Sequence, residues 1–248
     1  MRKFGLIGFP LGHSFSKSYF TEKFRAENLS DCSYENYPIE KITELKPILE
    51  NEKDLIGLNV TIPYKQQVME LLDHIEDQAL EIGAVNTIKV IRDRGKYSLS
   101  GYNTDVYGFE QPLMASLKSY HTHALILGTG GASKAVSYIL RKHRIRYRFV
   151  SRIPKDDSVL SYSDLTPQVI RENLIIINCS PVGMHPNVDH HPDIPYEGVT
   201  ERHILYDLIY NPEMTEFLKR GSKKKATLIN GLPMLRIQAE KAWEIWNS

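Results

Sequence analysis

Residues 123–133 read HALILGTGGAS, and the order of residue types in this stretch predicts the fold. The run from His123 to Leu127 is typical of a buried strand, and a helix is predicted from Ser133 to His143. Between them, Gly128 permits a tight turn and Gly130 allows the backbone to approach a ligand closely. A glycine-rich turn in this context is typical of a dinucleotide site, where N–H groups at the helix start face a pyrophosphate. A methyltransferase with a related loop is the alternative.

Short apolar runs alternate with helical stretches along the rest of the chain. After the glycine loop, strands are predicted at Tyr147–Val150, Leu174–Asn178 and His203–Asp207, and this spacing favours a parallel, doubly wound sheet. Ahead of the loop, the pattern predicts strands at Lys3–Gly8 and Leu55–Thr61, helices at Ser16–Asn28 and Pro63–His74, and a hairpin of Ala84–Ile91 with Lys96–Ser100. A last helix is predicted at Leu232–Trp246. We therefore expect an α/β protein with an N-terminal αβ domain and a Rossmann-like domain.

The end of the strand after the glycine loop indicates which dinucleotide is bound. Sites that prefer NAD place Asp or Glu about 20 residues after the glycines, to hold the ribose 2′-hydroxyl. Here the strand ends in Ser151 and Arg152, with Lys155 following, and no carboxylate stands at its end. Because a guanidinium can bind a 2′-phosphate through two hydrogen bonds, this pattern favours NADP. An ordinary surface arginine is the alternative interpretation of Arg152.

Composition excludes several classes of protein. The net charge is +1 over 248 residues, so we expect no nucleic-acid or membrane-surface partner, and the basic runs 141–148 and 223–225 are interpreted as solvated faces. The longest apolar stretch, Leu174–Ile177, is far shorter than a membrane span. Two distant cysteines, Cys32 and Cys179, favour free thiols and a cytoplasmic protein. The cluster of His185, His190 and His191 lies among prolines, so a solvated loop is favoured there over a metal site.

Four short polar motifs in the first half group hydroxyls and amides around glycines or strand ends. They are residues 8–16 (GFPLGHSFS), 59–65 (NVTIPYK), 83–87 (GAVNT) and 101–105 (GYNTD). In the second motif, a strand brings Asn59 and Thr61 to one face, because alternate residues point the same way. Lys65 is expected in the first turn of the next helix, where the helix dipole disfavours its charge. Any one motif could be a polar turn, but four ahead of a nucleotide fold point to a polar ligand.

Taken in order, these motifs resemble the shikimate dehydrogenase family over nearly the whole chain. The resemblance rests on residues 12–16, 59–65, 83–87, 103–105, 128–133, 151–152, 178–184 (NCSPVGM), 207–212 (DLIYNP) and 231–239 (GLPMLRIQA). It departs from the family pattern at Lys17, Tyr19, Phe20, Val106 and Ile153. The resemblance implies a substrate domain of residues 1–104 and 232–248, to which the C-terminal helix returns, and an NADP domain of residues 105–231.

The resemblance also implies the role of each site residue. Lys65 is the expected catalytic lysine and Asp105 its partner. The expected substrate-binding residues are Ser14, Ser16, Asn59, Thr61, Asn86, Thr104, Tyr210 and Gln238, with the two serines on a carboxylate. The expected NADP-binding residues are Gly128, Thr129, Gly130, Gly131, Ala132, Ser151, Arg152, Lys155, Ser180, Ile209 and Gly231. No metal is expected.

The function implied by the resemblance is reversible NADPH-dependent reduction of 3-dehydroshikimate to shikimate, a step towards chorismate and the aromatic amino acids. The chain would be a monomer or homodimer that acts on a small molecule. One alternative is a relative that also accepts quinate and uses NAD or NADP. A non-catalytic NADP-binding regulator is another, although the presence of both Lys65 and Asp105 disfavours it. A folate-type dehydrogenase is disfavoured by the serine pair and Gln238.

Overall fold

The computed structural model describes residues 1–11, 15–154 and 156–248. The chain divides into two compact units. The first consists of Met1–Thr104 together with Ala239–Ser248, and the second of Asp105–Gln238. The resemblance implied that the chain returns to the first domain at residue 232, whereas the second unit extends to Gln238.

The first unit is built on a mixed six-stranded sheet. Its strands are β1 (Arg2–Gly8), β2 (Cys32–Pro38), β3 (Leu55–Val60), β4 (His74–Ile75), β5 (Thr87–Asp93) and β6 (Lys96–Tyr102), in the order β2-β1-β3-β5-β6-β4. Strand β1 runs parallel to both of its neighbours, while β5 is antiparallel to β3 and β6. The helices are α1 (Phe15–Ala26), α2 (Leu45–Asn51) and α3 (Asp77–Ile82).

The predicted hairpin is confirmed and closes through a two-residue turn. Asp93 pairs with Lys96 at the end of the antiparallel β5–β6 ladder. Between them, Arg94 has φ 47° and Gly95 has φ 81°, so both turn residues are left-handed. This combination defines a type I′ turn, whose twist matches that of the flanking strands.

The helix predicted at Pro63–His74 is wrong. Residues 62–66 form turns, and Gln67–Leu71 form a 3₁₀ helix. An amphipathic α-helix here would bury its apolar residues along one stripe, but Val68 is buried whereas Leu71 is 41% exposed. Two of the backbone bonds connect residues three apart, from Met69 N to Gln66 O (3.2 Å) and from Leu72 N to Met69 O (3.4 Å), whereas the bond from Val68 N to Tyr64 O (2.9 Å) has α-helical spacing. Lys65 therefore lies in a turn and not in the predicted first turn of an α-helix.

The second unit contains the predicted parallel, doubly wound sheet. Its strands are β7 (His123–Leu127), β8 (Arg146–Ser151), β9 (Val159–Ser161), β10 (Ile175–Asn178), β11 (Ile204–Asp207) and β12 (Thr227–Ile229). They are ordered β12-β11-β10-β7-β8-β9, and every pairing is parallel. The helices are α4 (Asp105–Ser116), α5 (Gly131–Lys142), α6 (Pro167–Glu172), α7 (Glu216–Ser222) and α8 (Gly231–Asn247). The α/β fold class is confirmed.

The strand order of the second unit brings several polar loops together at the carboxyl ends of its strands. From β7 the chain passes to β8 on one side and later to β10 on the other. In such sheets, ligands bind outside the carboxyl ends of the strands, where the strand order reverses. Gly128 follows β7, Ser151 ends β8 and Ser180 follows β10, so all three lie at the carboxyl ends of these strands.

The end of α8 packs into the core of the first unit. Ala239, Ala242 and Trp246 are buried in one cluster with Phe4 and Phe20. The Trp246 indole donates a hydrogen bond to the Ile88 carbonyl at 3.0 Å. A Cβ at Gly57 of β3 would lie 2.5 Å from the Trp246 ring, so only glycine leaves room for the indole there.

Within the described ranges, no helix combines the length and hydropathy that a bilayer crossing needs.

Candidate active site

A buried cluster of amides and hydroxyls lies where the strands of the first unit's sheet end. Its centre is the side-chain oxygen of Asn86, in the segment just before β5. This oxygen accepts hydrogen bonds from Thr104 N (2.7 Å), Thr104 Oγ1 (3.2 Å) and Thr87 Oγ1 (3.1 Å). Asn86 is only 3% exposed, and Thr87 and Thr104 are fully buried. The predicted residues Asn86 and Thr104 are therefore brought together and held rigidly.

Asn59 extends the cluster towards α1. Its amide nitrogen donates to Thr87 Oγ1 at 3.3 Å, and its oxygen accepts from the Tyr34 hydroxyl at 2.7 Å. Tyr34 is also hydrogen-bonded to the Ser16 side chain, and burial raises the pKa of the Tyr34 hydroxyl. Three predicted substrate residues, Ser16, Asn59 and Asn86, thus belong to one continuous polar network.

The turn that carries Thr61 and Lys65 is tied by its backbone to the neighbouring segments of the first unit. Thr61 N donates to the Ile7 carbonyl of β1 at 3.0 Å, and Val85 N donates to the Lys65 carbonyl at 2.7 Å. Both side chains are partly exposed. Since Val85 directly precedes Asn86, the lysine is anchored beside the amide cluster. Ser14, the other predicted carboxylate-binding serine, lies outside the described residues.

The glycine loop of the second unit fits a pyrophosphate. Gly128 has φ 105°, which other residues rarely adopt, and a Cβ there would lie 3.3 Å from Ser180 N. Gly130 precedes α5, and in this described stretch no side chain caps the helix start. A Cβ at Gly130 would have no atom within 4 Å, so the backbone faces open space. Uncapped N–H groups facing open space suit an anion. Thr129 lies between the two glycines, and Gly131 and Ala132 are the first two residues of α5.

The region predicted for the 2′-phosphate lies at the end of β8. Ser151 is partly exposed; its hydroxyl accepts from Ile153 N at 3.3 Å and donates to Ile153 O at 3.0 Å. Arg152 is exposed directly after this strand, as a phosphate-binding guanidinium requires. Ile153 is 81% exposed and adds an apolar surface beside it. Lys155 lies outside the described residues.

A second buried network supports the loop after β10. Asn178 accepts from Ser180 N (3.1 Å) and Ser180 Oγ (2.7 Å), and it donates to Asp207 Oδ1 (3.0 Å). Asp207 also accepts from Ile209 N at 3.1 Å and from Thr215 Oγ1 at 2.6 Å. Desolvation raises the pKa of the Asp207 carboxyl to about 6, although these hydrogen bonds oppose that shift. Gly231 N donates to the Ile209 carbonyl at 3.0 Å. Ser180, Ile209 and Gly231 are thus linked through one network.

The remaining predicted residues also belong to the second unit. Asp105 is the first residue of α4 and is 6% exposed. Tyr210 is partly buried, which raises the pKa of its hydroxyl. Gln238 lies on α8 and is 8% exposed. Lys65 and Asp105 fall in different units, so their pairing stays a prediction.

The histidine-rich loop gives no support for a metal centre. Across residues 1–11, 15–154 and 156–248, no group of three or more His, Cys, Asp or Glu side chains could hold a metal ion.

Comparison with known proteins identifies the family. The description "Shikimate dehydrogenase substrate binding domain" matches residues 6–88, which include the Asn59–Asn86 cluster. A shikimate dehydrogenase (NADP(+)) of Carboxydothermus hydrogenoformans is 37% identical over 98% of this chain and 90% of its own length. The chain belongs to the shikimate dehydrogenase family. A family member from Clostridium beijerinckii is 39% identical over 99% of this chain and 92% of its own length.

A solved structure of the family has the same fold. The shikimate 5-dehydrogenase of Thermus thermophilus, in complex with NADP(H) and shikimate, superposes with a TM-score of 0.84. It is 30% identical and covers 99% of this chain and 93% of its own.

Tyr34 and Thr215 were not among the predicted site residues. Tyr34 links Ser16 to Asn59, and Thr215 is the N-cap of α7 and donates to Asp207. Neither residue belongs to a glycine-rich motif. A Thr followed by Glu216 and two apolar residues does signal a helix start, but nothing in that pattern shows a bond to a distant carboxylate.

Proposed function

We propose that this chain catalyses the reversible, NADP-dependent reduction of 3-dehydroshikimate to shikimate. It would thus be an oxidoreductase acting on a CH–OH group. The observation that carries the proposal is the buried Asn59–Asn86–Thr104 cluster beside the anchored Lys65. A rigid set of neutral donors and acceptors suits a ligand with several hydroxyls, because each bond is formed without reorganisation. The names of the relatives support the same substrate and cofactor.

Substrate recognition divides between the carboxylate and the hydroxyls. Ser14 and Ser16 bind the carboxylate in this proposal. The hydroxyls and the ring are held by Asn59, Thr61, Asn86, Thr104, Tyr210 and Gln238. The link from Ser16 through Tyr34 to Asn59 supports this division, because it joins a predicted carboxylate residue to a predicted hydroxyl residue.

Lys65 moves the proton. During reduction its ammonium protonates the ring oxygen as negative charge develops there, and during oxidation its amine takes that proton back. Asp105 would hold the lysine and accept a hydrogen bond from a neighbouring substrate hydroxyl. When bound, the nicotinamide supplies the hydride.

The cofactor is held by the second unit. Gly128, Thr129, Gly130, Gly131 and Ala132 bind the pyrophosphate. The 2′-phosphate is bound by Ser151, Arg152 and Lys155, and the nicotinamide end by Ser180, Ile209 and Gly231. The uncapped start of α5 and the exposed Arg152 support this assignment.

The catalytic proposal is tested with Lys65→Ala, by following absorbance at the nicotinamide band with shikimate and NADP. We expect kcat to fall on the order of 10²–10⁴-fold while KM changes little, because the proton transfer belongs to the transition state. Lys53→Ala, an exposed lysine of the same unit, is the control and should leave kcat unchanged. An unaltered kcat in Lys65→Ala would remove the lysine from the mechanism. NADP binding without turnover of shikimate in the unmodified chain would favour the regulator.

Cofactor selection is tested separately with Arg152→Ala. We expect KM for NADP to rise roughly tenfold or more while KM for NAD barely changes, since only NADP carries the 2′-phosphate. Arg171→Ala removes an exposed arginine from α6 of the same unit and should change neither constant. Equal losses for both dinucleotides would show that Arg152 does not contact the phosphate. Turnover of quinate with NAD would shift the function to the broader relative.

The proposal extends to the location and partners of the chain. Cys32 and Cys179 are both free thiols, which supports a cytoplasmic location. Monomer and homodimer remain the two expected states, and the partner is a small molecule rather than nucleic acid or a membrane.

A further inference from the structure

A cavity of about 900 Å³ opens in the second unit at the amino ends of the strands, opposite the glycine loop. His123 and Arg146 line it, and they are the first residues of β7 and β8. Asn173, which precedes β10, also lines it. The glycine loop follows the other end of β7, so this cavity is distinct from the proposed dinucleotide site. Its volume is within the range of small-ligand pockets.

The lining of this cavity is strongly basic. It contains four arginines, Arg141, Arg144, Arg146 and Arg148, which are all exposed. His123 is adjacent to Arg146 in the β7–β8 ladder. Glu172 contributes a carboxylate, but its Oε1 already accepts a hydrogen bond from Gln168 at 2.7 Å. The excess of positive charge attracts an anion.

Local structure explains only part of this charge. Cations are favoured at a helix C-terminus, which accounts for Arg141 in the last turn of α5. Arg146 and Arg148 lie on a strand, where no helix end explains them. Arg144 follows the helix with φ 56°, a left-handed conformation that glycine adopts more easily. In the described part of the chain, neither Arg144 nor Arg146 forms an ion pair with a carboxylate.

We propose that this arginine pocket binds a small oligophosphate anion. One guanidinium group can bind two phosphate oxygens at once. Several guanidinium groups around one cavity therefore match a chain of two or three phosphates better than an anion with a single charge. Tyr147 is partly buried in the lining and offers an aromatic surface to an organic group attached to the phosphates. The source is either a free polyphosphate or the triphosphate of a nucleotide.

The test is calorimetric titration of the full chain with sodium tripolyphosphate at low salt, with and without saturating NADP. We expect binding whose affinity is unchanged by NADP, because the pocket and the glycine loop lie at opposite ends of β7. The double variant Arg144→Gln/Arg146→Gln should weaken binding at least tenfold. Lys223→Gln/Lys224→Gln removes two exposed charges elsewhere in the same unit and should have little effect.

A comparison of ATP with tripolyphosphate distinguishes the two sources of the anion. Tighter binding of ATP than of tripolyphosphate would support the pocket with a nucleotide as its ligand, and equal affinities would support a free polyphosphate. The proposal would be overturned if NADP displaced tripolyphosphate, if the two double variants weakened binding equally, or if tripolyphosphate did not bind. It would also be overturned if the chain bound RNA but not tripolyphosphate. Because the readout is binding rather than turnover, it can fail or succeed independently of the Lys65→Ala experiment.

Discussion

The buried network around Asn86 in the first unit consists of amides and hydroxyls, whereas the network around Asp207 in the second contains a carboxylate. Both lie where strands end, and both fix the loops that carry predicted site residues. The Asn86 oxygen accepts three hydrogen bonds from neutral groups. The Asp207 carboxyl also accepts three, but burial raises its pKa to about 6.

This difference shows that equal numbers of hydrogen bonds do not give equal responses to pH. The members of the first network that the structure describes are amides and hydroxyls, so we expect this network to keep its stability between pH 4 and 8. The second network loses or gains a charge within that range. The two units can be followed separately, because both tryptophans, Trp243 and Trp246, lie in the first unit.

The largest expected effect is that of Asn178→Ala in the charged network. The change removes one donor from the Asp207 carboxylate and leaves Ser180 N without its acceptor. We expect the second unit to lose about 4 kcal/mol of stability at pH 7, and less at pH 5, where Asp207 is protonated. Hydrogen exchange of the β10 and β11 amides measures this loss. Asn187→Ala, at an exposed position of the same unit, should cost almost nothing, and a loss that is equal at both pH values would contradict the role of the carboxylate.

Asp207→Asn should remove a pH dependence of roughly 3 kcal/mol. The unfolded chain releases this proton near pH 3.9 and the folded chain near 6, so the folded state binds more protons between these values. The stability of the second unit therefore falls as the pH rises from about 4 to 6, and the asparagine variant should lack this fall. Hydrogen exchange at several pH values measures it, with Asp157→Asn as the exposed control. Parallel curves for the variant and the unmodified chain would show that Asp207 has an ordinary pKa.

The smallest expected effect is that of Asn86→Ala in the neutral network. Thr87 and Thr104 hydroxyls lie 3.2 Å apart and can pair with each other, so the main loss is the acceptor of Thr104 N. We expect the first unit to lose about 2 kcal/mol, with the same value at pH 5 and pH 7. Urea unfolding followed by tryptophan fluorescence measures it, and Asn51→Ala provides the exposed control. A loss that changes with pH would mean that a titrating group contacts this cluster.

The sequence predicted the central strands of both sheets and missed their edges, including β9 and β12 of the second unit. In β7, β10 and β11 the apolar runs are continuous, because parallel strands are buried on both faces, and β7 was predicted with its correct ends. Strand β2 of the first unit was missed, since Cys32–Pro38 mixes exposed and buried residues without a clear alternation. The predicted helix after Pro63 failed because an apolar spacing of three or four does not distinguish an α-helix from 3₁₀ turns.

The site shows the same limit. Glycine motifs mark the loops that carry the predicted site residues, because glycine reports a backbone requirement that is local in the chain. The contact of Tyr34 with Asn59 joins residues 25 positions apart, and that of Asp207 with Asn178 joins residues 29 positions apart. Such pairings depend on strand order, which no single motif encodes.

The position of Trp246 beneath Gly57 has a consequence for how the chain folds during its synthesis. Residues 105–238 of the second unit are contiguous and leave the ribosome together, whereas the first unit lacks Ala239–Ser248 until the second has been made. Domains usually fold in the order in which they emerge. Here the N-terminal unit begins first and finishes last. The space beside β3 that Trp246 fills is therefore expected to stay exposed while residues 105–238 are translated, although all six strands of that sheet have already been made. A chaperone that covers apolar surface would act on this exposed face of the sheet.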